Sequence, residues 1–301
     1  MFDFVVTVKG TSELFVNAPF TGGVNDRSIS AYDAENEADA FGFVKALIAQ
    51  LPQNNADAAM FESADDLNRT VAIAPDYEIG ALLSTLADGG RFTRLYRDHT
   101  ENAYFGFASF GGVLSGVVAC NPAKKGILDA KTAKIAAKMI SFCDAFSIPV
   151  LTLVDSEGLD NSADAAYASE FARLAMAYTS SECAKVTVVL GKAYGTAFTL
   201  LGSKSVGADI ALALPTACIS VLSPEASVAF VWNDRVGETS REELEKEWRE
   251  TCASAASACD AGEIDDVIEP SELRQRICSA LMMLSAKAEG RPVRKHTALP
   301  L

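Results

Sequence analysis

Residues 185–217 read KVTVVLGKAYGTAFTLLGSKSVGADIALALPTA and place a turn of small residues between a buried strand and a helix. The β-branched run 185–190 predicts the strand. Gly195, Thr196 and Ala197 then offer backbone N–H groups, little crowded by side chains, where a helix begins. A second apolar strand is expected further along the same stretch. The pattern predicts an α/β fold with a turn able to hold an anion.

Composition sets broad limits on function. The chain has 301 residues, of which 49% are apolar, enough for a sizeable core. Its formal net charge of −14 argues against partners such as nucleic acid or an anionic membrane surface, which would repel it. No apolar run approaches the roughly 20 residues that span a bilayer, so no membrane insertion is expected.

The amino terminus and the cysteines predict the compartment. The start, MFDFVVTVKG, has neither the basic region nor the cleavage site of a signal peptide. The seven cysteines are an odd number without a C-x-x-C pair, and lie at Cys120, Cys143, Cys183, Cys218, Cys252, Cys259 and Cys278. Reduced thiols in a cytoplasmic protein are the natural interpretation.

The middle of the chain alternates strand and helix patterns, which is typical of an α/β fold. Gly111 and Gly112 mark a hairpin between two strands. Strands are expected at 4–8, 14–16, 92–96, 104–110, 113–120, 150–154, 186–190 and 210–213. Helices are expected at 38–51, 77–86, 130–146 (capped by Asp129), 163–179, from Gly195, after the Ser240/Glu243 capping box, and at 271–288. Residues 24–37 are polar and predict a linker, and 54–75 predict a loop.

Several motifs resemble the carboxyltransferase subunits of biotin-dependent acyl-CoA carboxylases and decarboxylases. The family pattern K-x-T-V-x-x-x-K-A-Y-G-G-A-Y, followed by S-K-x-x-x-x-D and W-P-T-A, matches 185–217 with few changes. AGEIDDVIEP at 261–270 and RPVRKHTALPL at 291–301 match Y-I-D-D-V-I-E-P and R-P-P-K-K-H-G-N-I-P-L. The resemblance runs from Asp3 to the last residue. It implies a crotonase-like fold, a spiral of ββα units with C-terminal helices.

The resemblance also divides the chain into three parts. Residues 1–24 resemble the end of the family's N-terminal crotonase domain, most of which has no counterpart here. Residues 25–90 are expected to be a linker with helices, lacking the Gly-Gly-Ala element and two histidines that the family carries there. Residues 91–301 are expected to form the C-terminal carboxyltransferase domain. A separately encoded N-terminal half is therefore an expected partner.

The family's C-terminal domain faces biotin, and two backbone amides there hold the charge that develops on the ureido oxygen. Their counterparts are Thr196 and Ala197, preceded by Gly195, which the resemblance makes the catalytic positions. The family's second glycine is Thr196 here, which keeps its N–H but restricts φ and crowds a ligand. An ordinary small-residue turn is the alternative.

The second landmark is DSEGLDNSADAAY at 155–167, where the family has the rigid, biotin-shaping loop D-x-P-G-F-x-P-G-x-x-Q-E. Glu157 replaces a proline and Leu159 a phenylalanine, which removes rigidity and an aromatic wall. A plain strand-to-helix connection capped by Ser162 is the alternative. As the resemblance implies, the residues expected to bind biotin are Asp155, Ser156, Glu157, Gly158, Leu159 and Tyr194.

The leading interpretation is a carboxyltransferase-type subunit, its biotin-facing half. It would move CO2 between an acyl-CoA and biotin borne on a biotin carboxyl carrier protein, within a homo-oligomer, a trimer or a dimer of trimers. One alternative is a non-catalytic paralogue that acts as a scaffold. Another is a stand-alone crotonase-type enzyme that uses CoA substrates, with Asp155 and Glu157 as its acid and base.

Other charged groups have less specific patterns. A lysine cluster either meets CoA phosphates or is a solvated face: Lys124, Lys125, Lys131, Lys134 and Lys138. A basic tail is either a docking segment or a frayed end: Arg291, Arg294, Lys295 and His296. The two histidines, His99 and His296, are far apart and give no local signature of a metal site or a Ser/His dyad.

Overall fold

The computed structural model describes residues 4–9, 30–55, 57–160 and 167–289. Its strands are β1 Val5–Val8, β2 Ser30–Ala34, β3 Phe92–Leu95, β4 Ala103–Phe110, β5 Val113–Cys120, β6 Val150–Ser156, β7 Lys185–Tyr194, β8 Ile210–Ala213, β9 Cys218–Ser220 and β10 Asp266–Val267. Its α-helices are α1 Glu37–Gln50, α2 Ile79–Leu86, α3 Ala130–Ala145, α4 Tyr167–Ser180, α5 Gly195–Leu200, α6 Pro224–Val231, α7 Arg241–Thr251, α8 Ala255–Asp260 and α9 Leu273–Leu284.

One large sheet organises the chain. Its strands follow the order β10-β8-β7-β6-β5-β4-β3, and β9 pairs with the carboxyl end of β7. Strand β4 runs antiparallel to both β3 and β5, whereas β5 to β8 run parallel to one another and are joined through helices. The carboxyl ends of β5, β6, β7 and β8 therefore lie at one edge of the sheet, where loops are free to build a site.

Helices cover both faces of this sheet. Along β6, Leu151 and Leu153 pack with α2 and α9, whereas Val150 and Val154 pack with α3 and α4. The alternation follows from the two-residue period of a strand, and both sets are apolar because both faces are covered. The predicted strands and helices of this core are confirmed, most of them to within a few residues at each end.

The predicted linker at 24–37 is wrong over residues 30–34. These residues form β2, which pairs in parallel with β1, and helix α1 begins at Glu37. Backbone hydrogen bonding overrides the polar composition here, because the buried Ala31 carbonyl accepts the Tyr96 N–H at 2.7 Å. The Ser30 and Thr7 hydroxyls both donate to the Asp33 carboxylate, which gives the strand's acidic residue its partners.

Local signals for helix ends agree with the structure. The Asp129 side chain accepts the Thr132 N–H, and Ser240 with Glu243 forms the predicted capping box of α7. Three predictions lie outside the described residues: the strand at 14–16, the Ser162 cap and the basic tail. Within the described ranges, no helix is both long enough and apolar enough to cross a membrane.

Candidate active site at the end of strand β7

The two landmarks meet at the carboxyl end of β7. Ser156 pairs with Ala193, which brings the loop after β6, residues 157–160 and here called the β6 loop, alongside the last residues of β7. On the other side, β9 pairs with Lys192, Ala193 and Tyr194. The turn that follows Tyr194 is thus held between the β6 loop and β9, although neither neighbour is close to it in sequence.

The turn leaves backbone amides at the start of α5. Gly195 has a φ of 58°, in the left-handed region, and a Cβ there would lie 3.0 Å from the Val221 carbonyl oxygen. Thr196 and Ala197 lie in the first turn of α5, where the helix has no acceptor for their N–H groups. Within the described chain no side chain caps this turn. Uncapped backbone N–H groups are the kind of donor from which oxyanion holes are built.

The β6 loop is held by contacts with Ser156 and with Leu128. Ser156 is buried, and its hydroxyl bonds with the Gly158 carbonyl and N–H at 3.4 and 3.3 Å. The Gly158 carbonyl accepts the Leu128 N–H at 3.0 Å. Leu159 forms an isolated bridge with Leu128 and packs on the core. These contacts fix the shape of the loop up to Asp160.

Asp155 lies beneath this loop with both carboxylate oxygens engaged. Oδ1 accepts the Lys192 N–H at 2.9 Å, and Oδ2 accepts the Tyr77 hydroxyl at 2.8 Å. Burial, followed by the charge of Asp155, raises the pKa of Tyr77, so the phenol stays protonated and able to donate. Asp155 therefore joins three segments: the end of β6, the end of β7 and the loop before α2.

Glu157 forms a charged bridge at the surface of the site. Its carboxylate lies 2.6 Å from the Lys192 ammonium and 3.2 Å from that of Lys125. The hydrogen bond from Lys192 lowers the pKa of Glu157; burial opposes this shift and Lys125 adds to it. Glu157 is held ionised, which suits a clamp between loops better than a proton donor.

The Tyr194 ring packs into a small apolar cluster with Cys218, Ala253 and Trp248. Burial, followed by the contact with the Cys218 thiol, raises the pKa of Tyr194. This cluster links the end of β7 to β9 and α7. It thereby holds Tyr194, the residue that precedes the turn, in place.

The lysine cluster is partly neutralised by carboxylates. Lys124 lies 2.6 Å from Glu101, and Lys125 pairs with Glu157. Lys131 is exposed on α3. These contacts favour the solvated face over a phosphate-binding site.

A Ser/His contact that the sequence did not predict lies away from this site. Ser30 Oγ is 2.9 Å from His99 Nε2, and the same nitrogen lies 3.8 Å from Asp33. A hydrolytic triad needs the carboxylate on the opposite ring nitrogen and an accessible serine, and Ser30 is buried. The contact ties β2 to the loop after β3. Among the described residues no group of His, Cys, Asp and Glu could hold a metal ion.

The carboxyl transferase domain family matches residues 3–299. The chain belongs to this family. The carboxyltransferase subunit of propionyl-CoA carboxylase from Haloferax mediterranei is 32% identical, and the match covers 99% of this chain and 65% of that protein. Methylmalonyl-CoA decarboxylase subunit alpha from Propionigenium modestum is 31% identical, with the same coverage. The chain thus spans less than two thirds of the length of these relatives.

A solved structure supports the same assignment. Transcarboxylase 12S, a hexamer crystallised with methylmalonyl-CoA and methylmalonic acid, superimposes with a TM-score of 0.83 at 29% identity. The match covers 91% of this chain and 56% of that one. The predicted resemblance and the crotonase-like α/β fold are both confirmed.

Sequence reasoning missed two parts of the candidate site. Tyr77 carried no local signal, because its contact with Asp155 joins residues far apart in the chain. The segment 218–231 was left unassigned, although Ser223 and Pro224 give a helix-start signal. It supplies β9, the carbonyl beside Gly195, and four exposed apolar side chains at the two ends of α6, here called the α6 patch: Val221, Leu222, Phe230 and Val231.

Proposed function

We propose that this chain is the biotin-facing half of a carboxyltransferase that moves a carboxyl group between biotin and an acyl-CoA. The observation that carries the proposal is the uncapped turn at Thr196 and Ala197, in a chain that belongs to the carboxyl transferase domain family. The turn lies beside the loop 155–159, so both biotin landmarks are adjacent.

The catalytic contribution of this chain is electrostatic. Two backbone N–H groups at Thr196 and Ala197 stabilise negative charge on an oxygen of the bound group, and Gly195 gives the chain the left-handed bend that presents them. Backbone donors are already oriented before the reaction, so little reorganisation is required in the transition state. No side-chain nucleophile is needed for this role.

The residues present fit a neutral, hydrogen-bonding cofactor such as biotin. The turn presents donors without a capping side chain, and the loop after β6 contains Gly158, where an added Cβ would have nothing within 4 Å. When bound, biotin supplies the ureido nitrogen that carries the carboxyl group. The Glu157 bridge to Lys125 and Lys192 holds the loop against β7 at the same place.

A second chain is expected to complete the site. The α6 patch begins at Val221, whose carbonyl oxygen lies beside Gly195, and the side chains of Val221 and Phe230 are both 83% exposed. Exposed apolar side chains clustered beside a site commonly mark a protein interface. We assign this surface to a separately encoded N-terminal carboxyltransferase half, which would bring the acyl-CoA. The biotin would arrive on a carrier protein, and the assembly would be a trimer or a dimer of trimers.

Calorimetric titration tests the proposal. The purified chain, alone and mixed with its N-terminal half, is titrated with biotin and, separately, with acetyl-CoA. Binding of biotin to the chain alone, with acetyl-CoA bound only by the mixture, supports the proposal. Binding of acetyl-CoA by the chain alone would indicate a stand-alone crotonase-type enzyme. Binding of neither by the mixture would indicate a scaffold.

A further inference from the structure

The pairing between β6 and β7 contains an irregularity just before the candidate site. Val154 pairs with Val189, but Ser156 pairs with Ala193. One residue of β6, Asp155, therefore lies opposite three residues of β7, as in an enlarged bulge. Residues in a bulge lose their regular partners in the ladder, so another group must fix their conformation.

Asp155 supplies that group. Its Oδ1 accepts the Lys192 N–H at 2.9 Å, within the bulge. The carboxylate also fills the space over Gly191, where a Cβ would lie 2.5 Å from Oδ2. A glycine at this position lets the carboxylate approach the backbone closely.

Tyr77 anchors the carboxylate from the opposite side. Its hydroxyl donates to Oδ2 at 2.8 Å, and it precedes α2, which packs on the sheet face opposite α3 and α4. The two oxygens of Asp155 are thus bonded to two separate segments.

The bulge lies immediately before the catalytic turn. Lys192 is followed by Ala193, which is buried, and by Tyr194, which packs in the cluster with Cys218 and Ala253, before the chain bends at Gly195. A shift at Lys192 would be passed to Thr196 through only three residues, each held by neighbours. Displacements of about 1 Å in a catalytic group can cost on the order of 100-fold in rate.

We propose that Asp155 is a positioning residue that fixes the β7 bulge and so aims the backbone amides of Thr196 and Ala197. The inference rests on the proposed function and changes the part that Asp155 plays in it: the carboxylate acts on the protein backbone and does not contact biotin or transfer a proton. The Lys192 N–H and the Tyr77 hydroxyl are its two partners.

The kinetic test uses the full chain with its N-terminal half and a biotinylated carrier. Asp155→Ala should lower kcat for carboxyl transfer about 10- to 100-fold with a smaller change in the KM for acyl-CoA. Asp155→Asn should recover kcat to within about 3-fold of wild type, because its amide oxygen still accepts from Lys192 and its NH2 group donates to Tyr77. An acid or base role predicts that the asparagine variant is as inactive as the alanine variant, which would overturn the inference.

A matched control lies at the other end of the same strand. Asp209 Oδ2 accepts the Lys185 N–H at 2.7 Å, so Asp209→Ala also removes a carboxylate from the backbone of β7. This variant should lower the thermal midpoint but leave kcat within about 3-fold of wild type, because β7 is regularly paired between Lys185 and the bulge. An equal loss of kcat in both alanine variants would mean general destabilisation and would overturn the inference.

Amide hydrogen exchange measures the positioning itself, without any activity. Peptides covering 192–198 should exchange faster in Asp155→Ala than in wild type, and at the wild-type rate in Asp155→Asn and Asp209→Ala. Unchanged exchange in Asp155→Ala would overturn the inference. If the wild-type assembly transfers no carboxyl group, the proposed function fails, and the exchange rates still decide whether Asp155 fixes this segment.

Discussion

The Arg274 guanidinium lies 2.6 Å from the Asp88 carboxylate, and the Arg274 side chain has no exposed surface. Arg274 also donates to the carbonyls of Leu86 and Asp66, while Asp88 accepts the N–H groups of Gly111 and Gly112. One ion pair thus joins α9, the end of α2, the loop before it and the β4–β5 hairpin. The loop that contains Asp88, more than 180 residues before Arg274 in the sequence, is thereby bonded to helix α9.

Arg274→Met should lower the free energy of unfolding by about 3–5 kcal/mol, because it leaves the Asp88 carboxylate without its buried partner. Arg276→Met is the matched control on the same helix. Its partner is Asp266, both side chains are partly exposed, and the expected loss is about 0–1 kcal/mol. Urea denaturation of both variants measures the difference, and equal losses would contradict the assignment.

Acid should weaken the same connection. Burial acts to raise the pKa of Asp88, but the Arg274 hydrogen bond and the Gly112 and Gly111 amides outweigh it, so the pKa is lowered. A lowered pKa in the folded state means stabilisation above about pH 4 that is lost as the pH falls through the folded-state pKa. The stability gap between wild type and Asp88→Asn should therefore narrow in acid. Denaturation curves of both proteins from pH 7 to pH 3 measure this difference in the free energy of unfolding. A difference that stays constant over this pH range would contradict the prediction.

Thr196→Pro should lower kcat for carboxyl transfer about 100- to 1,000-fold, because it removes one N–H donor from the turn. Proline is tolerated in the first turn of a helix, so the fold should survive. Thr196→Ala keeps the donor and should stay within about 3-fold of wild type. Thermal midpoints of both variants check folding. Full activity in the proline variant would exclude the Thr196 amide from catalysis.

Two glycine-to-alanine changes should have opposite effects. Gly191→Ala places a Cβ 2.5 Å from the Asp155 carboxylate and should destabilise the chain and free the amides of 192–198 for exchange. Gly42 lies within α1 with nothing within 4 Å of an added Cβ, so Gly42→Ala should stabilise by about 0.5–1 kcal/mol. Denaturation and hydrogen exchange report both effects. A neutral Gly191→Ala would show that the carboxylate can move without consequence.

Phe230→Glu should abolish binding of the N-terminal half, because it places a charge on the α6 patch in place of an apolar side chain that is 83% exposed. Met283→Glu, which changes a side chain 68% exposed on α9, should leave that binding intact. Analytical ultracentrifugation of each variant mixed with the N-terminal half measures the association. Normal association of the Phe230 variant would exclude this patch as the interface.

Much of the core was predictable because its signals are local. The bounds of β5 and β8 match the predicted strands, since each is an apolar run ended by turn residues or polar groups. The Asp129 cap and the Ser240/Glu243 box bond within three residues of their own positions. Such contacts form whatever the rest of the chain does.

Other features depended on distant partners. Residues 30–34 form a strand only because β1 and Tyr96 accept and donate across large sequence separations. Strand β7 extends to Tyr194, beyond the predicted 190, because β9 and Ser156 pair with its last residues. The polar composition around 30–34 and the glycine at 191 are local features that carry no sign of these distant partners.

The sequence by itself determined the α/β alternation, the small-residue turn at 195–197 and the family to which the chain belongs. The tertiary structure decided which groups surround that turn: Asp155 bonds Lys192 and Tyr77, and Val221 lies against Gly195. The physical reason is how far apart in sequence the interacting groups lie. The residues that favour a strand or a helix are neighbours in the sequence. A buried carboxylate, in contrast, bonds to whichever donors the folded chain brings to it in place of water.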